Sequence, residues 1–261
     1  MQPERKQRLF NKSHVQRQFD RSATRYDQVA NMQRSIADDL LLFAEQNLQP
    51  KNVLDAGCGT GYGLKTLMNA YPRASFTGLD LSHSMLQVAQ NSCTGVTFKQ
   101  GDIEQLPFSD NAFDLTWSSS AIQWCDTGRA ITELARVTQS DGCILLSTFT
   151  HGTLQDWRAL WSLTASQRFD SVDKVESVFI NAGFRNIQLA TKVYTQAFKS
   201  FNGAVNSIRD LGAGNAEESR SRGLFGAKQY KEIKAKVDNI ISDDGQLELP
   251  YFVTFVCAQR V

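Results

Sequence analysis

The segment VLDAGCGTGYG, from Val53 to Gly63, sets a short apolar run against four glycines spaced two apart, Gly57, Gly59, Gly61 and Gly63. Apolar residues running into a glycine turn read as a buried strand whose end lets a ligand approach the backbone closely. A dinucleotide fingerprint, G-x-G-x-x-G, needs glycine at position 62, where this chain has Tyr62. A Walker loop needs G-K-[ST], but Gly63 is followed by Leu64 and Lys65. Asp55, two positions before Gly57, decides the ligand's charge. A carboxylate there repels a pyrophosphate and attracts a cationic amino group, directly or through water.

On either side of this loop the chain alternates between two periods. Apolar, β-branched runs at Asn52–Ala56, Ser75–Asp80, Val96–Gln100, Phe113–Ser118 and Cys143–Phe149 are strand candidates. Segments with helical spacing, Tyr62–Ala70, Ser84–Asn91 and Arg129–Val137, lie between them. This order predicts an α/β, doubly wound, Rossmann-like fold with a mostly parallel sheet. Further runs at Asn186–Tyr194 and Tyr251–Gln259 bring the expected strands to seven. The pattern divides one domain into a helical arm (1–48), a core sheet (49–197), a helical lid insertion (198–245) and a final strand (246–261). The arm is expected to be helical from His14 to about Leu48, with Ile36, Leu40, Leu41 and Phe43 on one face.

The 261 residues suit a single globular domain, and 41% hydrophobic with 21% charged residues is ordinary for a folded protein. A formal net charge of +1 argues against a nucleic-acid or membrane partner, and no apolar run approaches the ~20 residues that span a bilayer. The basic N-terminus lacks the apolar stretch of a secretory signal. Five cysteines without a C-x-x-C pair read as reduced thiols, so a cytoplasmic location is expected. With three scattered histidines, His14, His83 and His151, no metal site is expected.

S-adenosylmethionine (SAM) carries a cationic amino group beside a sulfonium and fits the charge set by Asp55. Strand ends near the crossover of a doubly wound sheet face the ligand crevice. Asp80, closing FTGLDLS, is placed to accept from both ribose hydroxyls. Asp102, in KQGDIEQLPF, is placed to meet the adenine amino group with Ile103 against the ring. The candidate cofactor residues are Asp55, Gly57, Gly59, Gly61, Asp80, Leu81, Met85, Asp102, Ile103 and Ser118. VLDAGCGTG, GLDLS, GDIEQLPF, FDLTWSS and ELARVTQSDG together resemble, in order and spacing, the motifs of class I SAM-dependent methyltransferases over about Asn52–Phe149.

Outside that core, QFDRSATRYDQVANMQRSIADDLL, SSSAIQWCD, STFTHGTLQDWRALW and SIRDLGAGN resemble the malonyl-acyl-carrier-protein O-methyltransferase family of biotin synthesis. The chain departs from that family's pattern at His151 and at Asp210, where lysine is frequent. The resemblance implies an antiparallel C-terminal strand, a monomer, and methylation of the free carboxylate of malonyl-acyl carrier protein or malonyl-CoA. The alternative is a methyltransferase acting on another small molecule, such as a quinone precursor or small carboxylic acid. A nucleic-acid methyltransferase or a silent SAM-binding regulator are more distant readings.

A malonyl carboxylate is already ionised at neutral pH, because carboxyl pKa values lie near ~4. It needs an orienting group more than a base. Arg209 is the candidate for holding it, since guanidinium meets carboxylates directionally. Tyr26 is the candidate for closing the pocket over cofactor and acceptor, and Gln123 and Trp124 for walling the substrate. Trp157 and Trp161, four apart, read as helix-packing residues. An acidic carrier protein calls for a basic surface, and Arg220, Arg222, Lys228, Lys231, Lys234 and Lys236 form the densest basic cluster.

Overall fold

The computed structural model describes residues 11–44, 48–154, 169–210 and 246–261, apart from the side chains at 205 and 208–210. Trp157, Trp161 and the basic cluster from Arg220 to Lys236 lie outside these residues. In chain order the elements are α1 (Lys12–Val29), α2 (Asn31–Leu42), β1 (Asn52–Ala56), α3 (Tyr62–Ala70), β2 (Ser75–Asp80), α4 (His83–Ser92) and β3 (Val96–Gln100). There follow β4 (Phe113–Ser119), α5 (Thr127–Val137), β5 (Thr138–Phe149), α6 (Val172–Asn181), β6 (Phe184–Phe198), α7 (Phe201–Asp210) and β7 (Leu247–Arg260).

The seven strands form one sheet in the order β3-β2-β1-β4-β5-β7-β6. β3, β2, β1, β4 and β5 pair in parallel, while β7 runs antiparallel to both β5 and β6, as expected. Strands β1, β4 and β5 are covered on both faces, which is why they read as nearly continuous apolar runs. At the edge, β6 shows only intermittent burial. One face of the sheet packs Leu64, Leu67, Trp117 and Phe255 with Ile36 and Leu40 of α2. The other packs Leu54, Leu146 and Val256 with Ile131 and Leu134 of α5 and Phe179 of α6. Progress outward from β1 to β3 and then from β4 to β5 leaves the crossover at the neighbours β1 and β4. Their carboxyl ends are where such a sheet opens a crevice.

The arm is helical, as expected, but in two pieces. It breaks at Ala30 (φ −86°, ψ 30°), and α2 ends at Leu42 rather than near Leu48. The break has a packing cause. The apolar face of α2, Met32, Ile36, Ala37 and Leu40, is buried against the sheet side of α3. The largely polar α1 packs on α4 instead, at the crevice. A straight helix could not serve both surfaces. Helix α6, which the sequence pattern did not single out, starts at Ser171, whose side chain accepts from the Lys174 N–H, and buries Val175, Val178 and Phe179. Among the described residues no helix is long and apolar enough to cross a membrane.

One hydroxyl ties α1 to α4. The buried Ser82 caps α4 by accepting from the Met85 N–H (3.1 Å), and it donates to Asp20 Oδ1 of α1 (2.6 Å). The Ser84 N–H also donates to Asp20 (3.2 Å). Replacing a capping serine by alanine costs about 0.5–2 kcal/mol. Ser82→Ala should therefore lower stability in urea titrations by about that amount. Ser84→Ala, which keeps its backbone donor, should change it far less.

Candidate functional site

At the carboxyl ends of β1, β2 and β4 the glycine turn folds back on the sheet. The Gly57 and Cys58 N–H groups both donate to the Leu79 carbonyl (2.7 and 2.9 Å), and the Gly59 N–H donates to Asp80 Oδ2 (2.8 Å). Two of its glycines are required by close approach. Gly57 has φ +84°, and a β-carbon there would lie 2.4 Å from that of Ala121. A β-carbon on Gly63 would lie 2.9 Å from Asp55 Oδ2 and 3.1 Å from Trp117 Nε1. Any side chain at 63 would push the carboxylate out of position.

Two adjoining lobes open around this turn. The first, about 640 Å³ including space open to solvent, is lined by Asp80, Leu81, Met85, Asp102, Ile103 and Trp124, with Lys12, Val15, Phe19 and Tyr26 of α1 as its outer wall. The second, about 480 Å³ on the same measure, holds Asp55 with Thr60, Gly63, Trp117, Gln33 and Arg34. Tyr26, Gly57, Gly59 and Ser119 line both and form the waist between them. Aromatic contacts stiffen the outer wall. Phe19 meets Trp124 edge-on at 5.7 Å between centroids, and Tyr26 at 6.5 Å.

Asp55 is only 2% exposed, and among the described residues no ion pair or hydrogen bond answers its carboxyl. Burial first, then the nearby Asp80, push its pKa up to about 8. Asp80 is raised to about 6 by burial, held down by N–H donors from Ser82 and Gly59 and pushed up by Asp20. A buried carboxyl that no cation pairs with is the complement of an ammonium group, and the Arg34 guanidinium in the same lobe faces Asp27 instead (3.7 Å). The donor set therefore fits SAM: the amino end beside Asp55, the ribose beside Asp80, the adenine near Ile103 and Asp102. Tyr26 is partly buried. Burial, then Asp80 and Asp27, raise its pKa well above the ordinary phenol value, so it stays a neutral hydroxyl.

Asp102 has a partner that the sequence pattern did not point to. Lys12 Nζ donates to Asp102 Oδ1 (3.0 Å) and Cys125 Sγ (3.4 Å) and pairs with Glu104 Oε1 (2.5 Å). Ligand atoms of Asp102, Glu104 and Cys125 lie within 4.8 Å of one another, and the lysine ammonium takes the cationic place among them. Burial opposes that ammonium, but Cys125, Glu104 and Asp102 outweigh it and hold its pKa above the ordinary value.

Three expected residues stand elsewhere. Ser118 is fully buried and donates to the Ala56 carbonyl (2.8 Å), so the strand's alternation turns its hydroxyl away from both lobes. Its neighbour Ser119 lines them instead. Gly61, with φ +90°, is the N-cap of α3 and shapes the turn rather than lining a lobe. Gln123 turns its amide nitrogen onto the Ser120 carbonyl (2.6 Å), leaving Trp124 as the wall residue. Arg209 belongs to α7, and its side chain lies outside the described atoms. Lys12, Phe19, Arg34 and Ser119 are additions that the structure makes to the expected site. For α1 the signal was present: Lys12, Val15, Phe19, Ser22 and Tyr26 recur every three or four residues, the spacing of one helix face.

A family model described as "Methyltransferase domain" matches residues 54–146. The chain is 32% identical over 255 residues to the malonyl-[acyl-carrier protein] O-methyltransferase of Herminiimonas arsenicoxydans, covering 96% of this chain and 97% of that protein. It is 36% identical over 235 residues to the protein of the same name from Erwinia pyrifoliae, covering 86% and 85%. Among solved structures, the YcgJ protein of Bacillus subtilis superposes with a TM-score of 0.60 at 18% identity, covering 86% of this chain and 97% of that one. Phosphoethanolamine N-methyltransferase 2 of Haemonchus contortus, solved in complex with SAM, gives a TM-score of 0.58 at 20% identity, covering 92% and 57%. These structural likenesses speak for the fold.

The Asp55 carboxyl sets two pH dependences. Its folded pKa lies above the unfolded one, so stability contributed by the protonated form is lost as pH rises toward about 8. Binding an ammonium reverses the preference and expels a proton. SAM affinity should therefore tighten by close to tenfold per pH unit between roughly 6 and 7, and level off toward about 8 as Asp55 ionises unaided and the SAM ammonium begins to titrate. Calorimetry in buffers of different ionisation enthalpy should detect the released proton. Asp55→Asn should weaken binding and flatten the slope.

Proposed function

The chain belongs to the malonyl-[acyl-carrier protein] O-methyltransferase family, and from that membership we propose that it methylates the free carboxylate of a malonyl thioester in an early step of biotin synthesis. The enzyme is a SAM-dependent methyltransferase of the class I fold. SAM, when bound, supplies an electrophilic methyl group on a sulfonium. The chain's own residues have four tasks: to hold the amino end at Asp55, to hold the ribose at Asp80, to exclude water beneath α1, and to bring the acceptor to the waist.

One observation carries the acceptor reading: among the described residues no histidine, lysine or carboxylate lines both lobes at the waist. Tyr26 is held neutral, and none of His14, His83 and His151 lines either lobe. An amine, phenol or carbon acceptor must lose a proton on the way to product. A carboxylate arrives already ionised and loses none. Alignment is then the main catalytic requirement.

The acceptor's recognition is assigned to the segments outside the core, the arm (1–48) and the insertion (198–245). Arg209, at the end of α7, is the proposed anion-holding residue on the strength of its place in SIRDLGAGN. Malonyl-acyl carrier protein is the proposed form of the substrate, with malonyl-CoA as its smaller equivalent. The cluster from Arg220 to Lys236 is the proposed landing surface for the acidic carrier, acting mainly on the association rate.

Label transfer from SAM tests this reading against malonyl carrier protein, malonyl-CoA, free malonate, a quinone precursor and RNA. A base-labile methyl ester on the malonyl thioester is expected, and transfer to another acceptor alone would overturn the assignment. Arg209→Ala should lower kcat/KM for malonyl thioesters at least ~10-fold with SAM affinity unchanged, as loss of a positioning ion pair does. Reversing the charge at Lys231 and Lys234 should slow the carrier-protein substrate while sparing malonyl-CoA.

A further inference from the structure

With SAM bound, its sulfonium and methyl group would lie where the two lobes join, because sulfur links the amino-acid half of SAM to its adenosine half. Among the described residues four line that waist, and two of them are glycines. The other two carry hydroxyls: Tyr26 on α1 and Ser119 at the end of β4. Among the described residues no lysine or arginine is common to both lobes, which suits a place where a second cation would repel the sulfonium.

The Ser119 hydroxyl is oriented from behind. Beyond β4, Ser120 adopts a left-handed backbone (φ +54°), and its N–H donates to the Ser147 carbonyl (3.0 Å) and to Ser147 Oγ (3.2 Å). Ser147 is fully buried, and among the described residues the one acceptor within reach of its own proton is Ser119 Oγ, 3.1 Å away. By distance either hydroxyl could donate, and the direction that leaves no buried proton unused has Ser147 as the donor. The Ser120 N–H donates to Ser147, Ser147 donates to Ser119, and the Ser119 proton remains free to point into the waist. Hydrogen bonds aligned in series polarise one another and strengthen the last donor.

We propose that Ser119 binds the acceptor carboxylate, with Ser147 as its positioning residue, and that this pair sets the angle from which the malonyl oxygen attacks. The inference rests on the malonyl-thioester reading above. Ser119 donates to one carboxylate oxygen and leaves the other facing the methyl group. A lone pair of that second oxygen forms the new C–O bond as the C–S bond breaks, its electron pair passing to sulfur. The opposite charges of carboxylate and sulfonium cancel, giving a neutral ester and a neutral thioether, and no proton moves.

Ser119→Ala is the direct test, with Ser147→Ala and Ser119→Thr beside it. Ser119→Ala should lower kcat/KM for malonyl-CoA about 10- to 100-fold, the scale of a lost alignment. SAM affinity should stay within about twofold, because no cofactor-recognition contact is removed. With S-adenosylhomocysteine bound, malonyl-CoA should bind the variant several-fold more weakly. Ser147→Ala should show a smaller loss in kcat, and Ser119→Thr should restore part of it. Circular dichroism and thermal melts check that each variant is folded. An Ala variant with normal turnover and normal malonyl-CoA binding would overturn the Ser119 proposal and leave the malonyl reading standing. A loss of SAM affinity equal to the loss of turnover would instead make Ser119 a cofactor residue and overturn it. A wild-type protein that neither binds nor methylates malonyl thioesters would overturn both.

Discussion

A carboxyl group with no counter-charge, enclosed where two parallel strands diverge, is the constraint around which this molecule is arranged. Asp55 sits in β1 opposite Gly78 of β2 and Trp117 of β4, all deep in the sheet. Leaving such a group unpaired is costly, and the protein bears that cost by keeping the proton on it. Gly63 leaves space beside the carboxylate, and Gly57 lets the turn close against Ala121. Asp80, a strand away, raises the charge deficit further. The pocket is therefore prepared for a cation before one arrives, and the neighbouring structure exists to hold that preparation in place.

Much of this was legible in the sequence because it lay in short-range patterns. The alternation of apolar runs with helical spacing placed the parallel strands, and the boundaries of β1, α3, β2 and β3 agree with the structure to the residue. Asp55 and Asp80 were readable because a carboxylate at the end of a buried run demands a partner that the run itself does not supply. Ser118 and Ser119 show where such reading fails. They are adjacent and identical, and only the phase of the strand decides which faces the crevice. The break at Ala30 was likewise hidden, since Ala30 and Asn31 carry no strong helix-stop signal and the division of labour between α1 and α2 is a tertiary matter.

Lys12 illustrates a different limit. Its importance depends on Asp102, Glu104 and Cys125, contributed by loops about a hundred residues away. The helical stripe from Lys12 to Tyr26 was visible, but a stripe of mixed polarity does not announce what it faces. Once the cavity is seen, the mixture makes sense: Val15 and Phe19 cover apolar surface, while Lys12 and Tyr26 bring polar atoms to defined points. Distance in sequence, rather than weakness of any single contact, kept this wall out of reach.

The pin between α1 and α4 has a thermodynamic corollary. Ser82 and Asp20 touch each other and the start of α4, and α1 is also a wall of the first lobe. Seating the arm and filling the cavity are thus linked equilibria. Whatever free energy a ligand gains from the seated wall is returned, in equal measure, as stabilisation of the seated arm. A substitution at the pin, well away from any ligand atom, is accordingly registered in the dissociation constant of the cofactor through the fraction of molecules whose arm is docked.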